Sequence, residues 1–360
     1  MDLSEHSSED QAILGEKDWH QLSWEKLRED GLPWLHTQPE RCKTRQGNFN
    51  GNALATIIYI PNESGQLLGV TLTHENLTST ALAAFAEMDG IYQGDRLSVV
   101  TFLPLTHIFA RVMLYGHLFY GHQIYFSSPR RVMKHLQEIH PNILSSVPLL
   151  MHKVYHRLKL YGQEETITAN PSWRNEFIQR LPLSHWRQRY HQWAFAIANQ
   201  SSHSWWEKAQ QLMARPMFKV WKKLFGGRIQ YCLTGGAALD PEVAQFFINI
   251  GFPIFQGYGL TQTSSVVTFN RPHRNQAGSV GQTRLGTHIK VAQDGEVLVH
   301  GTGIMTGYWK EPSATQQALN DDWLYTGDLG YIDPLGRLFI TGRKKRQFKL
   351  STGKYVTPVP

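Results

Sequence analysis

From Ala53 onward, short and nearly continuous apolar runs alternate with stretches of helical periodicity. Ala55-Thr56-Ile57-Ile58-Tyr59 is the first run, and residues 97–102, 123–126, 143–147, 229–233 and 253–256 read the same way. Continuous apolarity over so few positions predicts strands buried on both faces. Residues 76–88, 131–139 and 241–250 carry the helical pattern between them. This alternation predicts an α/β fold with mostly parallel sheets flanked by helices. After about Gly286 the pattern changes to short strands, such as 295–300 and 336–341, divided by turns containing Gly, Asp and Pro. A small β-rich subdomain is expected there. The chain therefore divides into a polar lead-in (1–52, helical around 24–30), an α/β region (53–285), the β-rich part (286–345) and a stub (346–360).

The longest apolar candidate, residues 112–129, carries His117 and His122 together with Gly116 and Gly121. The glycines predict breaks, so no membrane-spanning helix is expected. Hydrophobic residues make up 41% and charged residues 18%, which excludes a disordered chain. Two cysteines, Cys42 and Cys232, cannot form a disulfide framework. With no signal-peptide pattern behind Met1, a reducing, cytoplasmic setting is expected.

The net charge of +7 is concentrated: residues 151–230 hold thirteen Lys/Arg against four Asp/Glu, and six of the eleven tryptophans. The mixture predicts amphipathic helices with tryptophans inward and charges outward. Peripheral contact with a membrane surface is the alternative. A nucleic-acid partner is not expected.

The candidate chemistry begins near the end of the chain. Tyr325-Thr326-Gly327-Asp328-Leu329-Gly330 is followed by Ile340-Thr341-Gly342-Arg343-Lys344-Lys345. Here a carboxylate and a guanidinium each stand near glycines, which let a ligand approach the backbone. Asp328 can accept from vicinal hydroxyls, and Arg343 can donate to the same sugar or to a phosphate. Three further segments precede them in order: residues 55–74 (ATIIYIPNESGQLLGVTLTH), Leu103-Pro104-Leu105-Thr106-His107, and Leu233-Thr234-Gly235-Gly236-Ala237-Ala238 with Gln256-Gly257-Tyr258-Gly259-Leu260-Thr261-Gln262.

Together these segments resemble the adenylate-forming (AMP-binding) enzymes, in particular the AMP-forming long-chain fatty acyl-CoA ligases. Singly each has an ordinary reading: Tyr258 a core aromatic, Gly235-Gly236 a plain turn, His107 a half-buried histidine. Their joint order carries the resemblance. It implies activation of a long-chain fatty acid by ATP through an acyl-adenylate, then transfer to the thiol of coenzyme A. ATP/AMP, Mg²⁺ and coenzyme A are the implied cofactors. It implies that Gly236, Ala237 and Ala238 wall an adenine slot, with Tyr258 on the base and Gly259 beside it. Asp328 and Arg343 would hold the ribose and Thr261 the α-phosphate, and His107 would border the acyl and thiol channel.

Against the family's phosphate loop (Thr/Ser-Ser-Gly-Thr/Ser-Thr-Gly-x-Pro-Lys-Gly), residues 60–69 keep Ser64, Gly65 and Gly69. Leu68 replaces the lysine, Ile60 the first hydroxyl and Asn62 a glycine, while Pro61 removes an N–H donor. Glu63 adds a charge that repels phosphate. Gln262 replaces a glutamate that helps hold Mg²⁺, leaving a weak neutral ligand. Losing one donor to a transition state costs roughly 2.7–4 kcal/mol, so the triphosphate half is expected to be eroded.

In that family part of the large domain precedes the segment beginning at Ala53, and a mobile lysine-bearing domain follows the one ending Arg343-Lys344-Lys345; this chain is expected to lack both. A partner chain would have to supply such portions. Four readings stay open: a working ligase, a non-catalytic homologue (a pseudoenzyme) that binds AMP, acyl-adenylate or fatty acid, a decayed copy, and an acyl carrier protein as acceptor in place of coenzyme A.

Overall fold

The computed structural model describes residues 24–47, 50–62, 65–161, 185–200 and 204–344, with 348–349 and 355–356. Met1–Ala53 and Leu54–Pro360 form separate compact units. In the first, helices α1 (Trp24–Thr37) and α2 (Pro39–Gly47) extend further than the single helical piece expected around 24–30. Ser64 and Glu63 lie outside the described residues, as does most of 346–360.

The second unit is built on a seven-stranded sheet. Its strands are β3 (Ser98–Thr101), β4 (Gln123–Phe126), β5 (Ile143–Ser146), β6 (Tyr231–Thr234), β7 (Ile254–Leu260), β8 (Ser265–Phe269) and β9 (Gln282–Thr283), in spatial order β4-β3-β5-β6-β7-β8-β9. The first five run parallel, while β8 and β9 return antiparallel. The central β5 and β6 are buried along their whole length and the edge strand β4 is largely exposed, as sheet position dictates. The run expected at 253–256 continues to Leu260, because the Gly257-Tyr258-Gly259 segment pairs with β8 instead of leaving the sheet.

Two smaller sheets accompany it. The hairpin β1 (Leu54–Pro61) and β2 (Leu67–Thr73) is joined by β12 (Gly307–Tyr308). The third sheet contains β10 (Thr287–Val291), β11 (Glu296–Gly301), β13 (Leu319–Asn320), β14 (Trp323–Ile332) and β15 (Leu338–Arg343).

Helices α3 (His74–Ala86) and α4 (Ile108–Tyr120) pack against one another. A capping box starts α3: Asn76 N–H donates to Thr73 Oγ1 (3.1 Å), and Thr73 N–H donates to Asn76 Oδ1 (2.9 Å). Gly121, in the left-handed region (φ 76°), ends α4 as expected. Gly116 does not break it, contrary to expectation. A Cβ there would stand 2.2 Å from the Phe85 ring, so the missing side chain makes room for a fully buried aromatic.

Phe85 packs edge-on against His117 (centroids 4.9 Å apart), whose Nδ1 lies 2.9 Å from Nδ1 of His122. Burial, then the neighbouring His122, drives the His117 pKa down to about 3.

Further helices are α5 (Val132–Ile139), α6 (Pro148–Tyr161), α7 (His185–Ala198), α8 (Trp205–Lys222) and α9 (Pro241–Asn249). They surround a core in which Trp221 stacks on Phe246 (5.6 Å) and its Nε1 donates to His191 Nδ1 (3.3 Å). The expectation of inward tryptophans holds for Trp221 but not for Trp205 and Trp206, which are 67% and 63% exposed. Their positions on α8 point away from the face that carries Ala214, Phe218 and Trp221. Trp173 and the Trp186 side chain lie outside the described residues. Among the described residues no helix is long and apolar enough to cross a membrane.

Two outcomes are expected. Gly116→Ala should destabilise the fold by about 1–3 kcal/mol through overpacking. A glycine tolerated merely as a poor helix former would give the opposite sign, a gain of about 1 kcal/mol; urea denaturation distinguishes them. Secondly, a histidine of ordinary pKa 6.5 in the unfolded chain and about 3 when folded stabilises fully above pH 6.5. That contribution falls by up to about 1.4 kcal/mol per pH unit as pH drops from 6.5 towards 3. Urea midpoints between pH 7 and 5 should decline less steeply in His117→Leu than in the parent.

Candidate active site

In an open α/β sheet, ligands lodge beyond the carboxyl ends of parallel strands, where loops leave the sheet and turn away. A cleft of about 1890 Å³ lies there, lined by Val147 after β5, by Thr234 at the end of β6 and Gly235, Gly236 and Ala237 after it, and by the end of β7. Its other walls come from the β1–β2 hairpin and from the β-rich sheet, through Thr326, Gly327 and Arg343.

Gly236 takes φ +84°, a left-handed conformation that favours glycine, and nothing stands within 4 Å of where its Cβ would be. The turn is thus open to a ligand. Ala237 lines the cleft, but Ala238 is exposed and does not, because the chain is already turning away towards α9. Gly259 serves its own backbone: a Cβ there would lie 1.6 Å from the Ser265 carbonyl, at the bulge between β7 and β8. Thr261 and Gln262 open a 3-10 turn (Thr261–Thr263) whose Thr263 hydroxyl accepts from Leu260 N–H (2.9 Å). Both face the cleft, as does the exposed His107 at the N-cap of α4.

Asp328 and Arg343 stand directly opposite one another on β14 and β15. Arg343 Nε donates to Asp328 Oδ1 (2.7 Å), and the Tyr258 hydroxyl donates to Oδ2 (2.7 Å). Burial of the phenol, then the adjacent carboxylate, holds the Tyr258 pKa well above 10, so the hydroxyl remains a donor through neutral pH. Asp328 is buried behind the tyrosine and Arg343 is half open.

Beside them, Glu296 accepts from Gly327 N–H (2.9 Å) and from Lys344 Nζ (2.8 Å), and Asp294 also pairs with Lys344 (2.5 Å). Hydrogen bonds to Asp294 and then Glu296 push the Lys344 pKa up. Sequence reasoning missed Glu296, since β11 bears no motif and reaches the site only through strand pairing.

Another part of the cleft lining is apolar: Ala84, Met88, Phe102, Met113, Val266 and Phe269. These residues come from separate elements and show no common pattern in sequence.

The third wall is where the phosphate loop was expected. Ile60, Pro61, Asn62, Gln66 and Leu68 line it, with Ile60 paired to Leu68 and Pro61 to Leu67. Asn62 N–H donates to Gln66 O (2.8 Å), Gly65 N–H to Asn62 O (3.0 Å) and Gln66 N–H to Asn62 Oδ1 (2.9 Å). Gly65 forms the turn at φ +83°. Gly69 lies within β2 against Ile57, away from the cleft wall. Among the described residues lining the cleft, the only Lys or Arg side chains are Arg343 and Lys344, both held by carboxylates.

The Gln262 amide donates to the Tyr308 hydroxyl (3.1 Å) and has one neutral oxygen to offer a metal. Among the described residues, no group of three or more His, Cys, Asp or Glu side chains could hold an ion.

Comparison with known proteins identifies the family. The profile described as "AMP-binding enzyme" matches residues 9–309. The long-chain-fatty-acid–CoA ligase FadD15 of Mycobacterium bovis is 32% identical over 89% of this chain and 51% of that protein. The long-chain-fatty-acid–CoA ligase ACSBG2 of Gallus gallus is 27% identical over 96% and 45% respectively. The chain thus spans about half the length of the curated relatives it matches.

Among solved structures, O-succinylbenzoate coenzyme A synthetase from Bacillus subtilis, in complex with ATP and magnesium ion, superposes with a TM-score of 0.61 at 22% identity. That match covers 86% of this chain and 54% of that one. The inhibitor-bound N-terminal domain of FACL13 from Mycobacterium tuberculosis gives 0.58 at 21% identity, over 82% and 62%. These likenesses establish the fold: a mixed α/β unit matching the N-terminal domain of adenylate-forming enzymes. With the profile spanning most of its length, the chain belongs to the AMP-binding enzyme family, and its curated relatives are long-chain fatty acid–CoA ligases.

Proposed function

We propose that the cleft binds an acyl-adenylate, or its two halves, AMP and a fatty acyl chain, and that the triphosphate reaction is impaired. The observation that carries this reading is the division of the cleft. Tyr258 and Arg343 line it in a hydrogen-bonded set around the buried Asp328, and much of the remaining lining is apolar. An adenosine sugar offers two vicinal hydroxyls to Asp328, and a flat purine suits the face of Tyr258. An alkyl chain suits the apolar lining, where each buried methylene contributes about 0.8 kcal/mol.

The cleft offers a polyphosphate no uncommitted lysine or arginine among the described residues. ATP is therefore expected to gain little over AMP. Thr261 would meet the α-phosphate and His107 the acyl carbonyl, both at the junction of the two halves.

Calorimetric titration should show AMP binding no weaker than ATP binding. Asp328→Ala should weaken AMP by about 10- to 100-fold, the worth of a hydrogen bond to a charged group. ATP binding more than about tenfold tighter than AMP would overturn the reading.

The relatives' names favour a second reading, a full ligation with coenzyme A as acceptor. ATP–pyrophosphate exchange dependent on a long-chain fatty acid tests it. Exchange at blank level is expected from this chain, and a clear excess would replace the first reading with the second.

A further inference from the structure

Helix α8 begins with a capping box, Glu207 N–H donating to Ser204 Oγ (3.2 Å) and Ser204 N–H to Glu207 Oε2 (2.9 Å). It buries Ala214, Phe218 and Trp221 on one side. Its outer side divides into stripes that repeat every seven residues, close to two helical turns. Trp206, Met213 and Val220 form an apolar stripe, exposed at 63%, 63% and 37%. Lys208, Arg215 and Lys222 form a basic one. Trp205 and Leu212 lie between them, running on to Lys219. The two indoles stack on each other with centroids 4.1 Å apart, leaving large apolar faces in solvent.

No ion pair joins Lys208, Arg215, Lys219 or Lys222 to a carboxylate among the described residues, and Lys222 donates only to the Gly251 carbonyl (3.4 Å). Burial, then Lys219 and Arg215, lowers the Lys222 pKa, so positive charge is crowded here. A convex helix face with an apolar band alongside a basic one fits a plane better than a groove. Indole rings favour the boundary between hydrocarbon and water, and cations beside them complement phosphate headgroups.

We propose that the outer face of α8 docks on an anionic lipid surface. Trp205, Trp206, Leu212 and Met213 enter the headgroup region, and Lys208, Arg215 and Lys219 face lipid phosphates. The proposal stands apart from the reading of the cleft, and either can fail without the other.

Vesicle flotation of the whole chain tests it, because aggregated protein sinks while vesicle-bound protein rises. With vesicles of phosphatidylcholine containing about one-third phosphatidylglycerol, the protein should float, and with phosphatidylcholine alone much less. W205S/W206S should reduce binding to anionic vesicles at least about tenfold. K208Q/R215Q/K219Q should abolish the preference for anionic lipid and flatten the salt dependence. L212S/M213S is a second apolar variant, so that a folding defect in the first, read from its thermal midpoint, does not decide the result. Failure of the parent protein to float, equal flotation with both lipids, or apolar variants that float like the parent would overturn the proposal. Retention of single- or double-stranded DNA without flotation would overturn it too, and would assign the face to nucleic acid.

Discussion

A carboxylate withdrawn from water must have its oxygens satisfied, and Asp328 draws its two partners from two different sheets. Tyr258 reaches it from β7 of the seven-stranded sheet, and Arg343 from β15, its neighbour in the β-rich sheet. Removing either partner leaves a buried oxygen unpaired, which is costly in any fold. The arrangement ties the edge of the parallel sheet to the β-rich part where the cleft requires both. Two of these three side chains, Tyr258 and Arg343, also line the cleft. Architecture and candidate chemistry thus depend on one carboxylate.

The charge balance around that point is uneven in a way that bears on ligand choice. Arg343 is matched by Asp328, and Lys344 by Glu296 and Asp294. These cations are partly neutralised before a ligand arrives. A neutral nucleoside can exchange hydrogen bonds with such a set at small cost. A highly charged polyphosphate needs unspent positive charge, and the hairpin wall presents Ile60, Pro61 and Leu68 instead.

The α/β plan was legible in sequence wherever burial is total. Strands β5 and β6, buried along their length, stand where continuous apolar runs predict them. Helix propensity is local and marks Gly116 as a break, while the reason for this glycine is Phe85, on another helix. Composition carries no helical phase, so only the packed face of α8 fixes that Trp221 turns in while Trp205 and Trp206 turn out. The residue pair Asp328 and Arg343 was legible as a motif, but its cross-strand opposition was not. Glu296 and the apolar lining of the cleft left no signal, since tertiary pairing alone gathers them.

The turn of the β1–β2 hairpin has a consequence for anyone who would re-engineer this cleft. Its described amides are already committed: those of Asn62, Gly65 and Gln66 all donate within the turn. A phosphate cradle is made of backbone N–H groups aimed outwards, with a lysine as an addition. Placing a cation at position 68 would supply charge, but the amides of Asn62, Gly65 and Gln66 would stay turned into the loop. Rebuilding the grip is therefore first a matter of loop length and glycine placement, and only then of side-chain identity.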